Sequence, residues 1–202
     1  MSLSRRTLIA STVALTVGAA TRARAADADP RMADRTLGSP DAKVVMQEWF
    51  SLTCTHCAAW NKEVMPEVKA KLIDTGKVLY IYRDFPLDRP ALTAAMVARS
   101  LPPVRYEAFV STLLASQDRW AFAQGVDTTE ELFRRAALAG MPRATFNATI
   151  GDAVLQTAIL AEQQGGVDKY KVDSTPTFVI NEKPHAGEQT YDAIARYVAA
   201  AA

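Results

Sequence analysis

The sequence predicts an α/β domain in two halves, β-α-β and β-β-α, separated by an all-helical insertion over about 89–165. Three observations carry this. The only two cysteines of 202 residues, Cys54 and Cys57, stand between a strand-like run and a helix-like one. Helical periodicity then fills the middle of the chain. Strand character returns at 177–180, and a terminal helix follows.

In chain order, residues 1–25 read as a cleaved signal peptide. Arg5 and Arg6 give a basic start, 8–20 a modest apolar run, and Ala23-Arg24-Ala25 a small-x-small cleavage site. The run is too short, and too rich in Thr, Ser and Gly, for a stable membrane span. Ser4-Arg5-Arg6-Thr7-Leu8-Ile9 is similar to the twin-arginine export motif, with Leu8 where phenylalanine is commoner, so the general secretory route stays open. Either route implies a periplasmic protein. Four of the 23 Lys and Arg residues lie in this segment; the remaining 19 face 22 Asp and Glu, a net of −3 with no electrostatic footprint for nucleic acid.

Residues 26–37 are polar and are expected to form a flexible lead-in to a single domain over 38–202. Gly38-Ser39-Pro40-Asp41 is a turn signal, and 43–50 reads as a buried strand. Trp60, Val64, Val68 and Leu72 recur every four residues as one helix face, which Pro66 should kink. Asp74-Thr75-Gly76 ends that helix, and 78–82 is a second strand. In the insertion, Tyr106, Phe109, Val110, Leu113 and Leu114 share a face, as do Leu132, Phe133 and Ala136, and then Leu155, Ala158 and Ile159. Breaks at Pro102-Pro103, 125–127, 140–142 and Gly151-Asp152 make it a bundle of short helices. Asp84 and Asp88 are placed in a polar turn without a functional role, and His185 on the surface of the strand after 181–183. Tyr191, Ile194, Ala195, Val198 and Ala199 give the terminal helix.

Cys54-Thr55-His56-Cys57 at the start of a helix suits a reversible disulfide, because backbone N–H groups and the helix dipole stabilise a thiolate there. The same spacing serves half of a zinc site. Zinc needs about four ligands, and the chain offers only these cysteines, His56 and the distant His185, so no metal site is expected. Two cysteines so close together cannot build a structural framework, which points to catalysis in an oxidising compartment. A His between the cysteines adds a dipole or charge beside the sulfur, unless it is a solvated spectator. Each pH unit by which the Cys54 pKa falls moves the couple about 30 mV toward oxidant.

Glu48-Trp49-Phe50-Ser51 leading into Cys54-x-His56-Cys57, with Arg83-Asp84-Phe85-Pro86-Leu87 and Ser174-Thr175-Pro176-Thr177-Phe178, resembles the DsbA family of thiol:disulfide oxidoreductases. The resemblance runs from about Asp41 to the C-terminus and implies a thioredoxin-like fold. It implies that Cys54 is the exposed nucleophile, that Cys57 is the partner which releases stalled mixed disulfides, and that Thr175-Pro176 is a cis bond whose backbone pairs with substrate. It places Glu48 as a buried acid relaying protons to Cys57, the alternative being an acid at an exposed strand end. Thr55 stands where the family's commonest motif has proline, and Asn181 precedes Glu182 where relatives often have Asn-Gly. These departures leave the redox potential and the turn type open.

The implied function is a dithiol oxidase that needs no cofactor, acts as a monomer on reduced exported proteins, and is reoxidised by a membrane redox partner. A reductase or isomerase of the same fold is the alternative. A non-catalytic peptide- or copper-handling module is a third, weakened by the lack of Met-rich or His-rich tracts.

Overall fold

A computed structural model describes residues 29–202; the signal segment and the start of the lead-in lie outside them. A five-stranded sheet in the order β1-β3-β2-β4-β5 forms the centre. Its strands are β1 (Arg35–Leu37), β2 (Val44–Phe50), β3 (Val78–Asp84), β4 (Thr177–Ile180) and β5 (Lys183–Ala186). Only β2 and β3 are parallel, with Glu48 opposite Tyr82; all other neighbours are antiparallel. β2 and β4 are buried on both faces, as expected of central strands that read as continuous apolar runs.

The β2–β3 crossover consists of α1 (Thr55–Glu63), α2 (Met65–Val68) and a π-helical turn, Lys69–Ile73. The break falls at Val64, just before Pro66, whose ring cannot continue the hydrogen-bond ladder. Trp60, Val68 and Leu72 are buried, so the apolar face survives the break. The insertion comprises α3 (Arg89–Ser100), α4 (Pro103–Leu114), α5 (Gln117–Trp120), α6 (Thr128–Leu138), α7 (Arg143–Ile150) and α8 (Ala153–Tyr170); α9 (Tyr191–Ala201) closes the chain. Asp88, Asp127 and Asp152 cap α3, α6 and α8 with their carboxylates.

The lead-in expectation is corrected over its described part. Pro30–Met32 form a 3-10 turn and Arg35–Leu37 pair with β3 as an edge strand. Their polar character, which suggested solvation, belongs to a charge network. Arg99, fully buried, pairs with Asp84 and with Glu162 (2.8 Å), and its Nη1 donates to the Arg31 and Ala33 carbonyls. Arg35 donates to the Arg99 carbonyl (3.0 Å), and Arg83 binds Asp34 (2.6 Å) and Glu162 (3.1 Å). Asp84 is therefore the buried last residue of β3, not part of a polar turn. Apart from Asp84 and Arg99, which are 15 positions apart, the partners lie 49 to 79 positions away in sequence, beyond the reach of local pattern.

The β4–β5 turn takes positive φ at both central residues, Asn181 (41°) and Glu182 (70°), the twist a two-residue hairpin requires. Without glycine the strain is offset by side chains. Asn181 accepts from Val45 N–H (2.8 Å) and donates to the Ala201 carbonyl (3.0 Å), while Glu182 binds Lys169 (2.6 Å) and accepts from Tyr170 (3.0 Å).

α8 crosses the sheet face carrying Trp49, and its two adjacent glycines meet different surroundings. A Cβ at Gly166 would lie 2.5 Å from the Trp49 ring, whereas one at Gly165 would meet nothing within 4 Å. Alanine normally stabilises a helix interior by up to about 1 kcal/mol over glycine, and overpacking costs about 1–3 kcal/mol. Chemical denaturation should therefore find Gly165→Ala more stable than the parent and Gly166→Ala less stable.

Candidate active site

The loop after β2 delivers Cys54 to the first turn of α1. Cys54 is its N-cap, with extended backbone, and its Sγ accepts the Cys57 N–H at 3.3 Å. Ser51 shapes the loop: its carbonyl accepts Cys54 N–H, and its hydroxyl accepts Leu87 N–H (3.3 Å) and pairs with the Thr53 hydroxyl (3.2 Å). Thr175-Pro176 is a cis peptide bond, and the Cys54 thiol donates to the Thr175 carbonyl at 3.2 Å. The Thr175 hydroxyl is buried and unpartnered. The Pro176 carbonyl is taken by Gly187 N–H (2.8 Å), which fixes the loop after β5 beside the site.

Both cysteines are free thiols, and their environments drive them apart. The Cys54 pKa is lowered to about 5, chiefly because the Cys57 thiol bonds its sulfur, with the Cys57 and His56 backbone N–H groups facing it, together outweighing desolvation. Cys57 is fully buried, and burial, the bond to Cys54 and the nearby Glu48 charge push it far above the usual thiol range.

Glu48 is 2 % exposed, which removes the reading of an acid at an open strand end. Burial raises its pKa to about 8, against the opposing effect of the Tyr80 hydroxyl, which donates to Oε2. It is an acid held near the pH at which it could exchange protons.

His56 takes a different position from the one its place in the motif suggests. Its imidazole is 72 % exposed and its Nδ1 pairs with Glu188, which raises the His56 pKa. This residue lowers the Cys54 pKa through its backbone N–H, while the Cys54 charge adds a smaller contribution to raising the His56 pKa. His185 stacks on Tyr197 with ring centroids 3.7 Å apart.

Three residues at the site carried no signal in the sequence. Gln117, at the start of α5, donates to the Leu52 (2.9 Å) and Cys54 (3.0 Å) carbonyls and so ties the insertion to the active-site loop. Tyr80 holds Glu48. Gln189 accepts the Trp60 indole N–H (2.9 Å) through its carbonyl, anchoring α1 to the loop that carries Glu188. Among the described residues no cluster of three or more His, Cys, Asp or Glu could hold a metal ion.

A dithiol at a helix start facing a cis-proline loop, on this sheet, defines a thioredoxin-fold redox protein. The thioredoxin family model matches residues 31–200. Wolbachia pipientis alpha-DsbA1 is 32 % identical and superposes with a TM-score of 0.76 over 84 % of this chain and 90 % of that one. The chain belongs to the DsbA-like family of thiol:disulfide oxidoreductases. Bacillus subtilis BdbD, 20 % identical, shares the fold over 83 % of this chain and 92 % of its own (TM-score 0.73). A Rickettsia felis protein, provisionally named a protein-disulfide oxidoreductase, is 30 % identical over 149 residues, 73 % of this chain and 53 % of its own. The chain thus spans about half the length of the curated relatives it matches.

The thiolate, not the thiol, reacts with alkylating agents. In the reduced protein, iodoacetamide should label Cys54 with a rate that rises through a midpoint near pH 5 and leave Cys57 unmodified up to pH 8. Mass mapping checks this; labelling of Cys57 first would reverse the assignment of nucleophile.

Proposed function

We propose that this protein is a thiol:disulfide oxidoreductase that runs chiefly as a dithiol oxidase of exported proteins. The observation that supports this most is the depressed pKa of Cys54, which favours the reduced form of the enzyme and so the transfer of its disulfide to others. In the reaction a substrate thiolate attacks the Cys54 sulfur of the Cys54–Cys57 disulfide. That S–S bond breaks, a mixed disulfide forms, and Cys57 leaves as a thiolate that takes a proton from Glu48. A second substrate thiolate then attacks the substrate sulfur of the mixed disulfide. The substrate leaves with a disulfide, Cys54 leaves as its stabilised thiolate, and the enzyme holds both electrons.

Cys54 and Cys57 carry the exchange. Thr175 and Pro176 form the wall beside the sulfur, where an extended substrate segment fits. Glu48 serves the Cys57 proton. The part of His56 is its backbone N–H, with the imidazole at the rim, where it meets substrate paired to Glu188. The reading extends to residues 1–25 as a cleaved signal, to a periplasmic location, to a monomer, and to a membrane redox partner whose disulfide takes the electrons back. No helix among the described residues is long and apolar enough to cross a membrane, which fits a partner supplied by another chain.

The test is oxidation of a reduced, unfolded multi-cysteine protein. The oxidised protein should form substrate disulfides stoichiometrically, and Cys54→Ser should abolish this; Cys57→Ser, with Cys54 first converted by oxidised glutathione to its glutathione mixed disulfide, should exchange glutathione for substrate and accumulate substrate-linked species on non-reducing gels. Thiol trapping in exporting cells should find the pair mainly as a disulfide. A pair found mainly as a dithiol would make the protein a reductase or isomerase instead.

A further inference from the structure

The Glu48 carboxyl is gripped on one side only. Its Oε2 accepts the Tyr80 hydroxyl, while Oε1 is buried with no partner among the described residues. The residue directly across the parallel pair from Glu48 is Tyr82; Tyr80 lies one pleat back, opposite Met46. Tyr80 and Tyr82 share a sheet face with their rings edge to face at 4.8 Å, yet the Tyr82 hydroxyl is buried and unpartnered. Two phenols therefore stand near one carboxyl, and the bond goes diagonally to the more distant strand position. The same face carries Phe50 and Phe178, so no other donor from these strands competes.

We propose that Tyr80 is the positioning residue of the Glu48 proton relay: its hydroxyl anchors Oε2, sets the pH at which Glu48 ionises, and leaves Oε1 to exchange the proton with Cys57. The proposal rests on the oxidoreductase reading and deepens it. The step it controls is the release of a mixed disulfide by Cys57. The Glu48 carboxylate takes the Cys57 proton, the Cys57 thiolate attacks Cys54 Sγ, the Cys54–substrate S–S bond breaks, and the leaving thiolate is protonated by solvent. The two cysteines become a disulfide while the departing sulfur is reduced, so the electrons balance within the complex.

The sign follows from the donor. A hydroxyl donating to a carboxylate stabilises the ionised form, so removing it raises the Glu48 pKa further above its ordinary value. A hydrogen bond to a charged group is strong enough to move that ionisation by about one pH unit. Below the midpoint, the ionised fraction and the rate it supports then fall by up to about tenfold. Tyr80 is buried neutral, its own ionisation pushed well above the usual phenol range, so it acts only as a donor. A merely space-filling Tyr80 would lose nothing of this kind when replaced by phenylalanine, which keeps the ring.

The experiment reacts reduced protein with oxidised glutathione and follows, by acid quench and mass spectrometry, the formation and loss of the Cys54–glutathione adduct as a function of pH. In the parent, adduct loss should rise with pH through a midpoint near 8. In Tyr80→Phe the midpoint should move up by about one pH unit and the adduct should persist up to about tenfold longer at pH 7, with its formation unchanged. Tyr82→Phe, which deletes the neighbouring unpartnered hydroxyl, should keep the parental midpoint. In a Glu48→Gln background Tyr80→Phe should add nothing. Should Tyr80→Phe not fold, 3-fluorotyrosine in place of Tyr80, a stronger donor, should move the midpoint down. A parental midpoint in Tyr80→Phe, or a slowing equal at every pH, overturns the proposal. A parent that never resolves the adduct overturns the oxidoreductase reading itself, and the proposal with it.

Discussion

A sulfur atom caps a helix in this protein, and the surrounding structure serves to keep that sulfur ionised. Cys54 occupies the position where serine or aspartate usually satisfies the free N–H groups of a first helical turn. Because the cap is a thiol, the dipole and N–H groups that ordinarily stabilise a fold here stabilise a nucleophile. The geometry is imposed from several directions. Gln117 holds the Cys54 carbonyl from the insertion, Ser51 holds its N–H from the loop, and Thr175 meets its sulfur from across the sheet.

The helical insertion therefore does more than cover the sheet. Its α5 end fixes the active-site loop, and α3 and α8, through Arg99 and Glu162, anchor the end of β3 at Asp84 and the edge strand β1. A buried ion network of this kind is costly to assemble and costly to break, because removing one partner strands a buried charge. It specifies which segments meet; the apolar core, with Trp60, Phe178, Tyr106 and Phe146 among its large buried side chains, supplies the bulk of the burial. Glu48 is a buried acid without an ionic partner among the described residues, and burial raises its pKa.

The architecture was legible because its signals are local. The Cys-x-x-Cys pair, the β2 and β3 apolar runs and the four-residue spacing behind Trp60 depend only on neighbours in sequence. What escaped depends on distant partners. Arg35 and Asp34 look like a solvated lead-in until Arg99 and Arg83 arrive from elsewhere. Asp84 looks like a turn residue until its cation is placed. Gln117, Tyr80 and Glu188 have no motif, since a glutamine, a tyrosine or a glutamate acquires meaning only from the atom it faces. His56 shows the converse: its position in the motif was clear, but the direction of its ring was set by Glu188, 132 residues on.

The central claim is that stabilising the Cys54 thiolate makes this protein an oxidant. The claim has a limit set by pH. With Cys54 ionising near 5, only the interval between that value and pH 7 counts toward the reduced state, which supplies up to about 60 mV at about 30 mV per pH unit. The direct measurement is the reduction potential of the Cys54–Cys57 pair, from its equilibrium with glutathione buffers at pH 7 and again at lower pH. The account predicts a potential above about −200 mV at pH 7, on the oxidising side of thioredoxin's about −270 mV. It also predicts a weaker dependence on pH between 5 and 7 than a dithiol that binds two protons would have. A value near −270 mV with two-proton dependence throughout that range would contradict it.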